Sequence, residues 1–542
     1  MFINFNCSPV KTSLFALVAT FGALSVSAQE QATLAPAQAV LFNQLVENGD
    51  EALLTYYQEN DFAPIWSGRN TSRLLSLITA LESADRHGLP VSAYDIDGLE
   101  LAWAGADGTL SDAELEIKAA EVYIQFATDL TSGILEPHDV LDEINIYPRR
   151  PETGALLAVA AANPGNAALF DALEPVTPAY NALQAELARL QVLVGNGSWG
   201  PRISDGRTLR PGHSGSRVLA MRQRLNALGY EGTDGVSNVY DADLVLAMQA
   251  FQSDKALDAD GIVGPKTMLA LNSDPTEQMR QVIVNLERRR WLNYDLGDRH
   301  IFVNQASFMA YVVDFGLPTL STRVVVGKTQ SKYRTPEFID EMTHMVVNPS
   351  WNVPQSIAAQ EYLPQLLNDP SVLARQNIVM QVRGSGAVVD ARLVDLSQYT
   401  VNNFPFVLRQ RPGAGNALGK VKFMFPNRYN IYLHDTPSKS LFNRDTRTYS
   451  HGCVRVQRPF DLAHVLLAPQ ESDPAAAFQA YLNTGRETTV NLETPIPVYL
   501  TYQSVFIDES GELAYRVDVY GRDTIVFDAL AAEGVSLTQV QG

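Results

Sequence analysis

The chain has 542 residues, 60 acidic against 41 basic, and a formal charge of −19. An acidic surplus of that size repels phosphate backbones and excludes nucleic acid as a natural partner. The length exceeds one ordinary hydrophobic core, so roughly two to four domains are expected.

Residues 1–28 read as a secretory leader. Lys11 precedes an apolar run from Leu14 to Leu24, and Val26-Ser27-Ala28 offers a small-residue cleavage site. The run is too short to span a bilayer comfortably, and no later stretch approaches about 18 uninterrupted apolar residues. No integral membrane segment is therefore expected after cleavage; a retained N-terminal anchor is the alternative. Cleavage also removes Cys7, one of only two cysteines. Cys453 is then alone, without an intramolecular disulfide partner. A leftover thiol in an exported protein calls for an intermolecular partner or a reactive role. The plain alternative is an inert buried thiol.

Along 36–195, "AVLFNQLVENGDEALLTYYQEN" and "RLLSLITALESADRHGLP" carry apolar residues at helical spacing, which predicts a mostly helical scaffold. "DAELEIKAAEVYIQFATDLTSGIL" does the same, with a cap expected at Ser111 or Asp112 and a stop at Gly133. Trp66, beside a proline and a glycine, reads as the anchor of a turn. Residues 196–212 are rich in Gly, Pro and Ser and form a linker. Three short helices are expected in 213–273: Val218, Met221, Leu225 and Leu228 share one face, Gly229 ends the first helix, and Asp241 starts the second. From about 300 the texture changes to short runs rich in Val, Ile, Phe and Tyr, which read as strands, through 485. Residues 352–410 are too long for a plain strand connection and form a partly helical candidate lid. The last piece, 486–542, reads as a β-hairpin turning at Glu509-Ser510-Gly511, with a tail. The fold class is multidomain α+β.

"YSHGCVRV" (449–456) and "YNIYLHDT" (429–436) hold the candidate chemistry. Alternation in the second sends Ile431 and Leu433 to one face and Asn430, Tyr432 and His434 to the other. A cysteine attacks as thiolate and needs a base or cation nearby, and histidine suits that task. Gly452 allows a substrate backbone to approach, N–H groups around Gly452 and Cys453 could meet an oxyanion, and Arg455 could bind carboxylates. Three other readings compete. Cys453 could be a core residue. His434, His451 and Cys453 could ligate zinc, although a fourth ligand at a typical spacing is missing. Ser450 could be a nucleophile, although no Gly-x-Ser-x-Gly elbow surrounds it.

"HDTPSKSLFNRDTRTYSHGCVR" (434–455) resembles the signature of the L,D-transpeptidases with a YkuD-type catalytic domain. "NPSWNVPQSIA" (348–358), "QRPGAGNALGKVKFMFPN" (410–427) and "HGLPVSAY" (87–94) are similar to the large Gram-negative subgroup with a helical scaffold, a peptidoglycan-binding domain and a lidded catalytic domain. Arg217, Leu225, Leu228-Gly229, Phe251-Gln252, Asp260-Gly261, Gly264 and Thr267 match the peptidoglycan-binding helical repeat. The resemblance implies a mostly helical scaffold, a small three-helix peptidoglycan-binding domain and a mainly-β YkuD-like domain at 300–485. It implies Cys453 as nucleophile and His434 as general base. His451 would tune the thiolate, and Ser450, Gly452 and Arg455 would complete the loop. Arg455, Tyr432 and Asn430 are the substrate-binding candidates, and no firm role falls to the Asp435 side chain. No cofactor and no metal is expected. The implied activity is periplasmic 3–3 cross-linking of peptidoglycan tetrapeptide stems, donor and acceptor alike, through a thioester with release of D-alanine. Acylation of Cys453 by carbapenem-type inhibitors is also implied. The alternatives are L,D-carboxypeptidase or lipoprotein-anchoring activity of the same site, or a non-catalytic peptidoglycan-binding protein.

Overall fold

A computed structural model describes residues 34–537, apart from 69, 107, 164, 166–167, 196–198, 231–232 and 256. The expected leader, 1–28 with Cys7, and part of the expected linker lie outside the described residues.

The N-terminal helices gather around the long helix Thr109–Ser132, whose residues Ala119, Ala120, Tyr123 and Phe126 are buried. This helix starts before the expected cap. Gly108 is the N-cap, and Ser111 sits inside the first turn, where its hydroxyl accepts the Gly108 N–H at 3.1 Å. It ends as expected at Gly133, whose φ of +88° suits glycine. The buried Glu116 carboxylate accepts the Tyr57 hydroxyl at 2.5 Å and the N–H groups of Ile65, Trp66 and Ser67. That carboxylate fixes the turn in which Trp66 is fully buried.

Three helices, Ser216–Ala227, Ala242–Asp254 and Pro265–Leu271, form the small unit. The buried Gln252 amide accepts the Gly261 N–H at 2.8 Å and donates to the Ile262 carbonyl at 3.0 Å and the Thr267 hydroxyl at 3.3 Å. The spaced Gln, Asp-Gly and Thr of the sequence are thus one internal hydrogen-bond set.

Helix Pro275–Arg290 ties the helical part to the sheet. Its Glu287 accepts from Leu135 N–H and the Trp291 indole and pairs with Arg290. Its Arg288 pairs with Glu337 at 2.8 Å, and Arg522 bridges Glu337 to Glu143. Buried cations and anions here neutralise one another, which burial requires.

Strand β1 is the short Ile144–Asn145. The C-terminal half holds β2 (Arg299–Asn304), β3 (Met309–Asp314), β4 (Leu317–Gly327) and β5 (Glu337–Val347). The insertion holds β6 (Trp351–Asn352), β7 (Ile378–Val382), β8 (Val388–Val389) and β9 (Phe406–Gln410). Then come β10 (Val421–Met424), β11 (Leu433–His434), β12 (Thr448–Ser450), β13 (Val454–Val456) and β14 (Thr488–Thr501). The large sheet runs β5-β10-β11-β13-β4-β3-β2-β14, and β14 also pairs with β5, so the sheet closes on itself. The expected hairpin of 486–542 is present as β15 (Val505–Ile507) and β16 (Leu513–Tyr515). The same piece also supplies β14, which local pattern did not assign to the sheet. Pairing partners more than a hundred residues away set its place.

Alternation sorts the two faces. Val324, Val326, Met345, Val347, Val421, Phe423, Leu433, Val454 and Val456 join one apolar core. Val325, Val346, Lys422, His434 and Arg455 take the other face. The insertion between β5 and β10 has its own core, with Leu366 and Leu408 fully buried. It is partly helical, as expected, and also contains a four-stranded sheet, β6-β9-β7-β8. Among the described residues no helix is long and apolar enough to cross a membrane.

Candidate active site

Parallel pairing of β11 and β13 sets Leu433 beside Val454 and His434 beside Arg455. Tyr432 and Cys453, one residue earlier in each segment, lie side by side at the edge of the apolar core, and alternation puts both on the same side as His434 and Arg455. The rings of Tyr432 and His434 are 5.7 Å apart, edge to face.

His434 is only 4% exposed, and its Nδ1 lies 2.5 Å from the Asp435 carbonyl oxygen. A carbonyl can only accept, so this contact assigns the proton to Nδ1 and leaves the Nε2 lone pair free. Burial, with the Arg455 and Lys422 cations, pushes the imidazole pKa down to about 3 against the pull of that carbonyl. The Asp435 carboxylate is occupied elsewhere. It accepts from Lys420 N–H and Thr436 N–H and pairs with Lys439.

Cys453 is partly exposed, and its thiol lies 3.6 Å from the Asn430 carbonyl. Asn430 offers that carbonyl from a left-handed turn, φ +55°, with its side chain in solvent. Desolvation by the protein packed around it pushes the thiol pKa up to about 11, against hydrogen bonds from Tyr432 and the cations Arg455 and Lys422, although one side of the residue stays open to solvent. Thiol and imidazole are thus both neutral at rest. Burial also lowers the pKa of Arg455, whose Nε has no hydrogen-bond partner among the described residues.

The loop before Cys453 is held rigidly. Ser450 is buried, and its hydroxyl accepts the Gly452 N–H at 3.1 Å. That N–H is therefore engaged, and the Cys453 N–H is the donor left without a partner among the described residues. The Thr335 hydroxyl donates to the Gly452 carbonyl at 2.7 Å. Gly452 has φ +117°, and a Cβ there would stand 2.9 Å from Ile431 Cδ1. His451 points toward the insertion. Its Nε2 lies 2.5 Å from Glu361 Oε1 and 3.0 Å from Lys328 Nζ, with its ring against Tyr333. Among the described residues no group of three His, Cys, Asp or Glu is placed to hold a metal ion.

Three domain families match along the chain. A scaffold domain matches 51–187, a "Putative peptidoglycan binding domain" matches 214–271, and the YkuD L,D-transpeptidase catalytic domain matches 298–492. Residues 298–492 are a YkuD L,D-transpeptidase catalytic domain. A Haemophilus influenzae protein named "Putative L,D-transpeptidase" is 36% identical over 223 residues, which covers 41% of this chain and 44% of that protein. The match thus spans less than half of either. The crystal structure of an L,D-transpeptidase from Xylanimonas cellulosilytica aligns at 16% identity over 55% of this chain and 99% of that one, with a TM-score of 0.16. At that score the likeness carries no argument.

The YkuD domain brings in residues that the sequence alone did not single out. Lys422 of β10 is paired in register with His434. Its signal was the alternation in "VKFM", where Val421 and Phe423 point to the core. Glu361 comes from the insertion, 90 positions before His451, and nothing local announces that contact. Glu361 lies in the wide helical turn Ala358–Tyr362. Pro364 withholds the N–H that a regular helix would give to the Gln360 carbonyl, which accounts for the wide turn.

Proposed function

We propose that this YkuD domain joins peptidoglycan stems by 3–3 cross-links in the periplasm, with Cys453 as nucleophile. The observation that carries the reading is the shared face of Cys453 and a neutral His434 whose free nitrogen can accept a proton. Cys453 attacks the carbonyl between the diamino acid and the terminal D-alanine of a tetrapeptide stem, and His434 Nε2 takes the thiol proton. The Cys453 N–H faces the oxyanion. Collapse breaks the peptide bond, the imidazolium returns its proton to the departing D-alanine amine, and a thioester remains. The side-chain amine of a second stem then attacks, His434 takes its proton, and the imidazolium reprotonates the released thiolate. Arg455 is suited to a substrate carboxylate because its guanidinium has no acidic partner among the described residues.

The insertion supports transfer over hydrolysis. Glu361 meets His451, and Gln360 accepts from Lys332 and Tyr333, so the insertion is fastened over the loop that carries Cys453. A covered thioester is shielded from water. The peptidoglycan-binding match at 214–271 supports the wall as substrate.

The test is incubation of the chain from Gln29 onward with disaccharide-tetrapeptide, with Cys453→Ala beside it and mass spectrometry of the products. A tetra–tri dimer made only by the wild type is expected. Tripeptide without dimer would show a carboxypeptidase. No product from either protein, with substrate bound, would leave a wall-binding protein.

A further inference from the structure

Two cations flank His434 on the outer face of the sheet. Arg455 is its neighbour in β13 and Lys422 its neighbour in β10. Adjacent strands lie about 4.8 Å apart, so the three side chains stand in one row across the sheet. The Lys422 ammonium lies 5.6 Å from the centre of the Tyr432 ring, the residue level with Cys453. Burial pulls the Lys422 pKa down, while Glu487 and Cys453 pull it up, so the ammonium feels the sulfur. Apart from its place over the Tyr432 ring, the Lys422 ammonium makes no hydrogen bond or ion pair among the described residues. Glu487 is already taken, accepting the Ser350 N–H at 2.8 Å and lying 3.6 Å from Arg409. Arg455 is likewise without a carboxylate partner among the described residues. Two half-buried cations beside one nucleophile, with no carboxylate to pair with among those residues, leave a place for an anion.

We propose that Lys422 is a substrate-binding residue: with Arg455 it takes the terminal carboxylate of the donor stem and makes the site select stems that end in a free D-alanine carboxylate. This rests on the donor chemistry proposed above. A carboxylate held there sits next to the scissile carbonyl, because only the alanine α-carbon and the amide nitrogen separate the two. A stem ending in an amide offers the cations no charge.

The test compares two donors, disaccharide-tetrapeptide ending in D-alanine and the same molecule ending in D-alaninamide. Release of the last residue is read by mass spectrometry. The wild type is expected to prefer the acid by about 10- to 100-fold in kcat/KM, mainly through KM, as befits a charge-assisted hydrogen bond. Lys422→Met should lower kcat/KM on the acid far more than on the amide and so shrink most of the preference, and Lys422→Arg should restore most of it. An equal loss on both donors would show a structural role and overturn the proposal, as would a wild type without preference. Calorimetric binding of both donors to Cys453→Ala separates this question from turnover. A preference in binding that Lys422→Met abolishes, without turnover by the wild type, would sustain the cation pair and defeat the catalytic reading. Turnover without preference would do the reverse, and neither would defeat both.

Discussion

Glu361 and His451 meet at 2.5 Å although one belongs to the insertion and the other to the loop that carries Cys453. His451 Nε2 cannot donate to Glu361 and accept from Lys328 at once. The shorter contact assigns the proton to Nε2 and leaves Lys328 as a neighbouring cation. Burial, with the Lys328 and Arg455 cations, lowers the His451 pKa against the pull of Glu361, so near neutral pH the contact is a hydrogen bond to a carboxylate more than an ion pair.

Glu361→Ala should loosen the insertion. The contact is partly solvated, so a loss of about 0.2–1 kcal/mol is expected, a factor of up to about five in opening. Amide hydrogen exchange over 355–368 should quicken by that factor, and the ratio of tripeptide to dimer should rise. Unchanged exchange would mean that other contacts hold the insertion closed.

Alkylation of Cys453 by iodoacetamide should be slow at neutral pH. A thiol with a pKa near 11 beside an imidazole with a pKa near 3 is almost wholly neutral there. The rate should climb about tenfold per pH unit above 7 and level off near 11. Fast alkylation that is flat from pH 5 upward would reveal a thiolate–imidazolium pair instead.

His434 should also weaken the fold in acid. Its pKa is depressed from 6.5 to about 3 on folding, so the unfolded chain binds the proton first. Stability is fully held above about 6.5 and lost as pH falls toward 3. Between pH 7 and 5 the wild type should lose about 2 kcal/mol that His434→Gln does not. Urea melts at the two pH values measure the difference, and equal losses would contradict a buried neutral imidazole.

Gly452→Ala should disable the site. The left-handed φ of +117° and the close Ile431 Cδ1 both oppose a Cβ. Backbone strain alone costs about 1–3 kcal/mol. The loop would relax by moving Cys453, and kcat/KM should fall at least about 100-fold. Ser450→Ala should still form the acyl-enzyme, detectable by intact mass, because the buried Ser450 hydroxyl holds the Gly452 N–H.

Glu116→Ala tests the scaffold. Three N–H groups and the Tyr57 hydroxyl would lose their acceptor inside the core. A loss of about 3 kcal/mol or more is expected by chemical denaturation. A loss below about 1 kcal/mol would mean that the Trp66 turn closes without it.

Much of this was legible in the chain. The spacing of His434, Ser450, His451, Gly452 and Cys453 marked the candidate site, and alternation along 429–436 placed His434 opposite Leu433. Helical periodicity and Gly133 and Gly229 marked where two helices end. These features are local, so a short window of residues is enough to determine them. Tertiary structure alone decided that β14 closes the sheet, that Lys422 stands beside His434, and that Glu361 reaches His451. It also decided the protonation of the pair, since both pKa shifts come mainly from burial. Cross-strand register and dryness are properties of the assembled sheet and its cover, and no local pattern encodes which distant segment supplies them.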